Sequence, residues 1–235
     1  MKTIGEILSN NSYPGRGILI GITEDNLNVA IGYFIMGRSE NSRNRIFALN
    51  GEDLKTKPFD ESKLADPNLI IYSPVRTMGG ITIVTNGDQT DTIYDGLKQG
   101  ISFEESLQTR TFEPDAPNFT PRISAIVNLT DISAEYKLSI LKSANHNKNS
   151  TQRFFFEYKQ PIAGEGHLIH TYKHDGDPIP SFCGEPHTVK IEGNLKEFGD
   201  AIWNALNKDN RISLFTRFIN IKAGLNETRI INKNF

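Results

Sequence analysis

Val29-Ala30-Ile31-Gly32-Tyr33-Phe34-Ile35-Met36 runs into Gly37-Arg38-Ser39-Glu40-Asn41-Ser42-Arg43-Asn44-Arg45, and Ile46-Phe47-Ala48-Leu49 follows. A short continuous apolar run bounded by turn residues is the pattern of a buried strand, and both flanking runs have it. The polar island between them is predicted to be a loop or strand end held at fixed geometry, and loops on rigid scaffolds commonly carry function. Arg38, Arg43 and Arg45 bring planar guanidinium groups, which recognise phosphates and carboxylates through paired hydrogen bonds and stay charged at physiological pH. An anionic small molecule is the first ligand to consider. The structural alternative is a solvated turn whose arginines pair with Glu40, Glu52 and Asp53.

Further β-like runs occur at 17–22, 68–72, 80–85, 123–129, 136–141, 153–158, 166–172, 188–191 and 214–221. Several alternate in polarity, as in Tyr136-Lys137-Leu138-Ser139-Ile140, the pattern of a strand with one face buried. Helical patterns are fewer. Leu195, Phe198, Ile202 and Leu206 follow three- and four-residue spacing, so this segment lays one apolar stripe on a sheet. A second helix is predicted from about Thr90 to Lys98, capped by Asp88 or Thr90 and ended at Gly100, and Ser102-Phe103-Glu104-Glu105 has the spacing of a capping box that opens a third. Strands in excess of helices predict an α+β fold of two mostly antiparallel sheets packed face to face and flanked by helices, in a single domain over 1–235. The polar stretch 145–150 is predicted to be a hairpin tip or mobile loop.

A formal charge of −2 and a pI near 6.2 give no polyelectrolyte signature, so no nucleic acid is expected as a partner. No apolar run is long enough to cross a membrane, so no membrane partner is expected either. Met1-Lys2-Thr3-Ile4-Gly5-Glu6-Ile7 lacks the extended apolar segment of a secretory signal, and a cytoplasmic location is expected. Cys183 is the single cysteine, which excludes an intramolecular disulfide and a multi-cysteine zinc site.

Thr85-Asn86-Gly87-Asp88-Gln89-Thr90-Asp91 joins a strand to a helix, where free backbone amides and the helix dipole favour an anion and Asn86 and Thr90 add neutral donors. It is not a P-loop, because the lysine and the glycine spacing are missing. An ordinary helix cap is the alternative. Glu113-Pro114-Asp115-Ala116-Pro117-Asn118-Phe119-Thr120-Pro121-Arg122 is stiffened by proline, which fixes Glu113, Thr120 and Arg122 at the mouth of the next strand. Pro14-Gly15-Arg16-Gly17 offers another arginine with glycines that permit close backbone approach. Tyr72 ends a run and places a phenol where it can meet an oxyanion or serve packing. His167, His170 and His174 have metal-like intervals, but residues three apart on a strand face opposite sides, so hydrogen-bonded histidines are expected and no metal. Cys183 is expected to be a buried, inert thiol.

Taken in order, Arg16-Gly17, Arg38-Ser39 with Asn44-Arg45, Tyr72, Asn86-Gly87-x-x-Thr90-Asp91, Glu113 and Thr120-Pro121-Arg122-Ile123 resemble the archaeal-type IMP cyclohydrolase family. The order carries the specificity, and it spans residues 14 to 123; the C-terminal half follows by continuity. The loop between Arg38-Ser39 and Asn44-Arg45 is longer than the family pattern, so Arg43 and Arg45 both stand for the family role, and the extension through Tyr13 is a second departure.

The resemblance implies a four-layer αββα sandwich like that of N-terminal-nucleophile hydrolases, without their self-processing chemistry. It implies closure of 5-formamidoimidazole-4-carboxamide ribonucleotide to IMP with loss of water, with no metal or organic cofactor. Arg38, Tyr72 and Glu113 would be catalytic. Arg16, Ser39, Arg43, Asn44, Arg45, Asn86, Gly87, Asp88, Thr90, Asp91, Thr120 and Arg122 would hold the purine ribonucleotide, and a homo-oligomer is the expected assembly. Two other readings compete: an N-terminal-nucleophile-type amide hydrolase, which needs a freed Ser, Thr or Cys, and a non-catalytic purine-nucleotide-binding protein.

Overall fold

In the computed structural model, which describes residues 1–63, 71–130 and 133–234, the apolar runs pair into two antiparallel sheets. The chain opens with helix α1 (Ile4–Leu8), strands β1 (Arg16–Ile22) and β2 (Asn28–Met36) and the one-turn α2 (Glu40–Arg43). Then come β3 (Ile46–Asn50), β4 (Asp53–Lys57), β5 (Val75–Met78) and β6 (Ile81–Thr85), followed by α3 (Gln89–Lys98) and α4 (Phe103–Gln108). The chain continues through β7 (Arg122–Leu129), β8 (Ala134–Ala144), β9 (Asn147–Tyr158), β10 (Glu165–His170) and β11 (His187–Lys190). It closes with α5 (Leu195–Ala205), β12 (Arg211–Asn220) and β13 (Asn226–Asn232). One sheet has the order β11-β10-β1-β2-β12-β13; the other is a meander in chain order, β3 to β9.

Alternation along the strands decides what each face meets. Ile18, Ile20 and Ile22 of β1 and Val29, Ile31, Tyr33 and Ile35 of β2 turn inward and pack against Ile123, Ala125 and Val127 of β7 and Leu138 and Ile140 of β8, which makes the core between the sheets. The opposite face of the first sheet, with Leu19, Phe34 and Leu214, is covered by α1 and by the Leu195, Phe198, Ile202 and Leu206 stripe of α5. The opposite face of the second sheet, with Ile83, Ile126 and Leu141, is covered by Ile93 of α3 and Phe103 and Leu107 of α4. The predicted capping box at Ser102 and Glu105 is present, and α5 starts with its own at Asn194 and Glu197.

Several expectations change. The strand expected over 68–72 falls partly outside the described residues, and 71–73 have no regular structure. The arginine island contains the α2 turn, capped by Ser39, rather than loop alone. The stretch 145–150 turns only at Asn145 and His146, both at positive φ as a two-residue hairpin turn requires, and is already β9 from Asn147. Asp88 occupies the cap position of α3, but its side chain does not bond the helix amides.

Phe198 lies between α5 and the sheet, against Phe218, and is almost fully buried. Phe198→Ala is expected to lower the unfolding free energy by about 3–5 kcal/mol in urea titration, because neighbours on a rigid sheet cannot collapse into the space.

Candidate active site

A cavity of about 270 Å³ opens where the inter-sheet core ends, lined by Arg16, the first residue of β1, by Arg122, the first of β7, and by Tyr72, Gly87, Glu113 and Thr120. A larger cavity, about 460 Å³, lies beyond Ile22 at the other end of β1, but its lining holds neither an arginine nor a carboxylate.

Arg16 shares the inward face of β1 with Ile18 and Ile20, so the strand that builds the core also delivers a guanidinium to its end. Its main chain is fixed by Thr171, whose amide donates to the Arg16 carbonyl and whose hydroxyl accepts from the Arg16 amide. Gly15 precedes it at φ 79°, and a Cβ there would strike Thr171 and the ring of Tyr172. Burial works against the Arg16 charge, the surrounding Tyr172, Tyr13, Tyr72 and Tyr33 work for it, and the pKa lies above the ordinary arginine value. Among the described residues its Nε has no hydrogen-bond partner. Arg45 lies close by, 1% exposed, with Nε donating to the Ser42 carbonyl at 2.8 Å and Nη2 to the Met36 carbonyl at 3.2 Å. Burial and the neighbouring Arg16 hold its pKa below the usual arginine range. Among the described residues neither guanidinium has a carboxylate within ion-pair distance, although those of Arg38, Arg110 and Arg122 do.

Arg122 is the opposite case. Its Nη1 reaches Asp88 at 2.7 Å, Gln89 at 2.7 Å and Glu113 Oε1 at 3.0 Å, and its Nη2 reaches Glu113 Oε2 at 3.2 Å. Arg110 bonds the same Asp88 oxygen from outside the cavity lining. Burial raises the Asp88 pKa, but the two arginines outweigh it and the carboxyl stays below its ordinary value. Glu113 goes the other way: burial raises its pKa, and Arg122 and Arg16 only partly oppose this. Gly87 passes under the knot, where an added Cβ would come within 2.7 Å of Arg122 Nη1 and 3.1 Å of Glu113 Oε1.

Thr120 gives its hydroxyl proton to the Asp115 carboxylate, and its oxygen lies 2.6 Å from the hydroxyl of Tyr172. A threonine has one hydroxyl proton, so Tyr172 is the donor in that second bond. Tyr72, 9% exposed, is pinned through its backbone to Thr56, and its hydroxyl is 2.9 Å from that of Tyr33.

Other expected site residues do bracing. Asn86 lines the cavity, yet its oxygen accepts from the Ile123 amide and Gln89 while its amide donates to the Pro121 carbonyl, which ties the start of α3 to β7. Thr90 is buried and bonded to Thr85 and the Gly87 carbonyl, so it offers no free donor, and the Gly87 amide is taken by Thr85. Asp91 is exposed and paired with Arg76, outside the cavity. In the island, Ser39 caps α2, Arg43 bonds the Gly37 carbonyl and Asn210, and buried Asn44 clamps Asp60 by two bonds. Arg38 is on the surface, joined to Asp175 and the Gly176 carbonyl and set over the ring of Tyr13. Of the two arginines left open, Arg45 is the one beside Arg16.

The histidines fall into separate groups: His167 stacks on Tyr158 and bonds Tyr136, His170 stacks on His187, and His174 is exposed. Cys183 is exposed rather than buried, because its turn lies at the surface after Phe182. Sequence reasoning missed Tyr33, Tyr172, Asp115, Gln89 and Arg110 as parts of the site.

Two antiparallel sheets end at a half-buried cation with no described carboxylate partner, a cluster of phenols and a carboxyl group of raised pKa, an arrangement of the kind that can hold a small anion beside acid–base groups. The chain belongs to the family of IMP cyclohydrolase-like proteins, matching it over residues 13–224, well into the C-terminal half. It is similar to the IMP cyclohydrolase of Methanopyrus kandleri, 30% identical over 192 residues that cover 72% of this chain and 89% of that protein. The IMP cyclohydrolase of Methanothrix thermoacetophila is 26% identical over 172 residues, covering 71% and 78%. That of Methanococcus maripaludis strain S2 is 32% identical over 120 residues, covering 49% and 58%.

Because Arg16 has no ion-pair partner to lose among the described residues, Arg16→Met is expected to leave the apo melting temperature unchanged or to raise it, whereas added inorganic phosphate should raise the melting temperature of the wild type alone in thermal shift. Burial holds the pKa of His170 near 3 and that of His167 near 4, below the 6.5 of a free imidazole. Under acid the unfolded chain binds protons that the folded chain refuses, so stability present above 6.5 is lost as the pH falls toward these values. His170→Gln should shrink the stability difference between about pH 7 and pH 5 in urea titration.

Proposed function

We propose that the chain is an IMP cyclohydrolase that closes 5-formamidoimidazole-4-carboxamide ribonucleotide to IMP with loss of water. Family membership supports the reaction, and the observation that carries it to this site is Arg16: a half-buried cation whose enclosed Nε has no partner among the described residues, on the wall of a cavity that also holds Tyr72 and Glu113. Such a cation receives the 5′-phosphate, with Arg45 adding positive potential from behind.

The chemistry asks for little beyond placement. The carboxamide nitrogen attacks the formyl carbon, a new N–C bond forms, and the formyl oxygen becomes a tetrahedral oxyanion that takes a proton. Loss of that oxygen as water, with a proton from the former formamido nitrogen, leaves the C=N bond of the closed ring. An amide nitrogen is a weak nucleophile, so the site gains rate by folding the two substituents together, stabilising the oxyanion and moving protons. Tyr72 donates to the oxyanion. Glu113, held by the Arg122 fork and raised in pKa by burial, accepts from the carboxamide nitrogen. Asp88, Thr120 and Arg122 shape the pocket, while Asn86, Gly87 and Thr90 hold the strand-to-helix turn beneath it. Arg38, over the ring of Tyr13 and paired with Asp175, does not line the cavity and is given no step in the reaction.

The helix-covered double sheet supports a four-layer αββα, N-terminal-nucleophile-like fold in one domain. The amide-hydrolase reading gains nothing from Thr3, whose hydroxyl is engaged with Glu6 in the capping box of α1. A cytoplasmic, homo-oligomeric enzyme of purine biosynthesis is the setting that fits, and no described helix is long and apolar enough to cross a membrane.

The direct test mixes purified protein with the formamido ribonucleotide and follows inosine absorbance, with and without chelator and against the dephosphorylated nucleoside. Ring closure of the nucleotide, unaffected by chelator, is expected; no product would end the proposal. Glu113→Gln should lower kcat by about 10²–10⁴-fold while substrate affinity stays within a few-fold.

A further inference from the structure

The hydroxyl of Tyr33 is wholly enclosed, and among the described residues its one hydrogen-bond partner is the hydroxyl of Tyr72, 2.9 Å away. Two phenols can share that bond in either direction. If Tyr72 donated, the Tyr33 proton would be left without an acceptor in an interior facing two cations, Arg16 and Arg45. If Tyr33 donates, its buried proton is satisfied and the Tyr72 proton is free to point into the cavity. An unsatisfied buried donor is the costlier arrangement, so burial sets the direction. Tyr172, another phenol beside Arg16, has its proton committed to Thr120 and cannot do the same.

We propose that Tyr33 is a positioning residue: by donating to Tyr72 it turns the Tyr72 hydroxyl into an obligate hydrogen-bond donor toward the cavity, where the oxyanion forms. The role in catalysis rests on the ring-closure reading; the direction of the bond does not. Tyr33 suits the task because its ring is locked, stacked on Phe47 at 5.5 Å on the inner face of β2. The groups facing the pair are Arg16 and Arg45, with Tyr13 and Tyr172 as the other phenols around Arg16.

Two measurements test this, one of them free of any assay. With tyrosines labelled with carbon-13 at Cζ and Tyr72 assigned through Tyr72→Phe, Tyr33→Phe removes a donor that favours the Tyr72 phenolate. The Tyr72 titration is expected to move up by about half a pH unit or more. A downward move means that Tyr33 was the acceptor, and no move means that the bond does not exist; either overturns the proposal. Should Tyr33→Phe fail to fold, 3-fluorotyrosine at position 33, a stronger donor, should move the titration down, and an upward or absent shift would reject it.

In the assay, Tyr33→Phe is expected to lower kcat about tenfold with KM within about twofold, and to add nothing in a Tyr72→Phe background. A wild-type kcat, or full additivity in the double variant, overturns the catalytic role. If the wild type closes no ring, the functional reading falls, and the titration still decides the direction of the bond.

Discussion

Arg16 and Arg45 share a patch of interior in which no described carboxylate meets them, and much of the surrounding structure accommodates that fact. Burying an unpaired cation costs several kcal/mol, so a protein keeps one only where the cost is offset by a ligand or by other parts of the fold. In the free protein the surroundings are polar but neutral: the side chains of Tyr172, Tyr13, Tyr72 and Tyr33 lie around Arg16, and the carbonyls of Ser42 and Met36 accept from Arg45. The three acids that line the same cavity are held by other groups. Asp88 is bound by Arg110 and Arg122, Glu113 by Arg122, and Asp115 by Thr120. One wall thus carries a guanidinium with no described carboxylate partner, and the other carries carboxylates already tied to arginine and threonine.

The residues that give the strand-to-helix turn its motif do their work one layer behind. Asn86 bonds main-chain groups on both sides of Arg122, and Thr90 locks the turn from below. With the backbone immobilised in this way, the Arg122 fork and Glu113 keep fixed positions without any substrate present, the condition under which electrostatic stabilisation carries no reorganisation cost. Gly87 belongs to the same device: a side chain there would occupy the space through which the fork passes.

Much of this was legible in the sequence, for local reasons. Apolar runs such as 29–36 and 123–129 announce buried strands because burial on one or both faces dictates composition, and the α5 stripe announces its sheet. Strands β4, β5 and β13 escaped because they are short or lie near an edge, so few of their side chains turn inward; Asp53–Lys57 buries only Leu54 and Thr56. Arg16, Tyr72, Asn86, Gly87, Glu113, Thr120 and Arg122 were found because turn and proline chemistry mark them out, and they do converge. Asp91 and Arg43 follow the same local cues but face elsewhere. Tyr172 and Tyr33 carry no such mark. Their roles come from partners far away in sequence, Thr120 and Tyr72, and only the packed fold creates those pairs.

The two walls of the cavity come from different sheets, Arg16 from one and Arg122 from the other, and what separates them is the thickness of the isoleucine- and valine-rich filling. The molecule therefore works as a caliper whose jaw gap is set by hydrocarbon. Protein interiors resist compression, so a methyl group added or removed at Ile18 or Ile123 changes reach at the jaws without touching either of them. The spacing of the two arginines can thus be adjusted from inside the sandwich, by side chains that do not line the cavity.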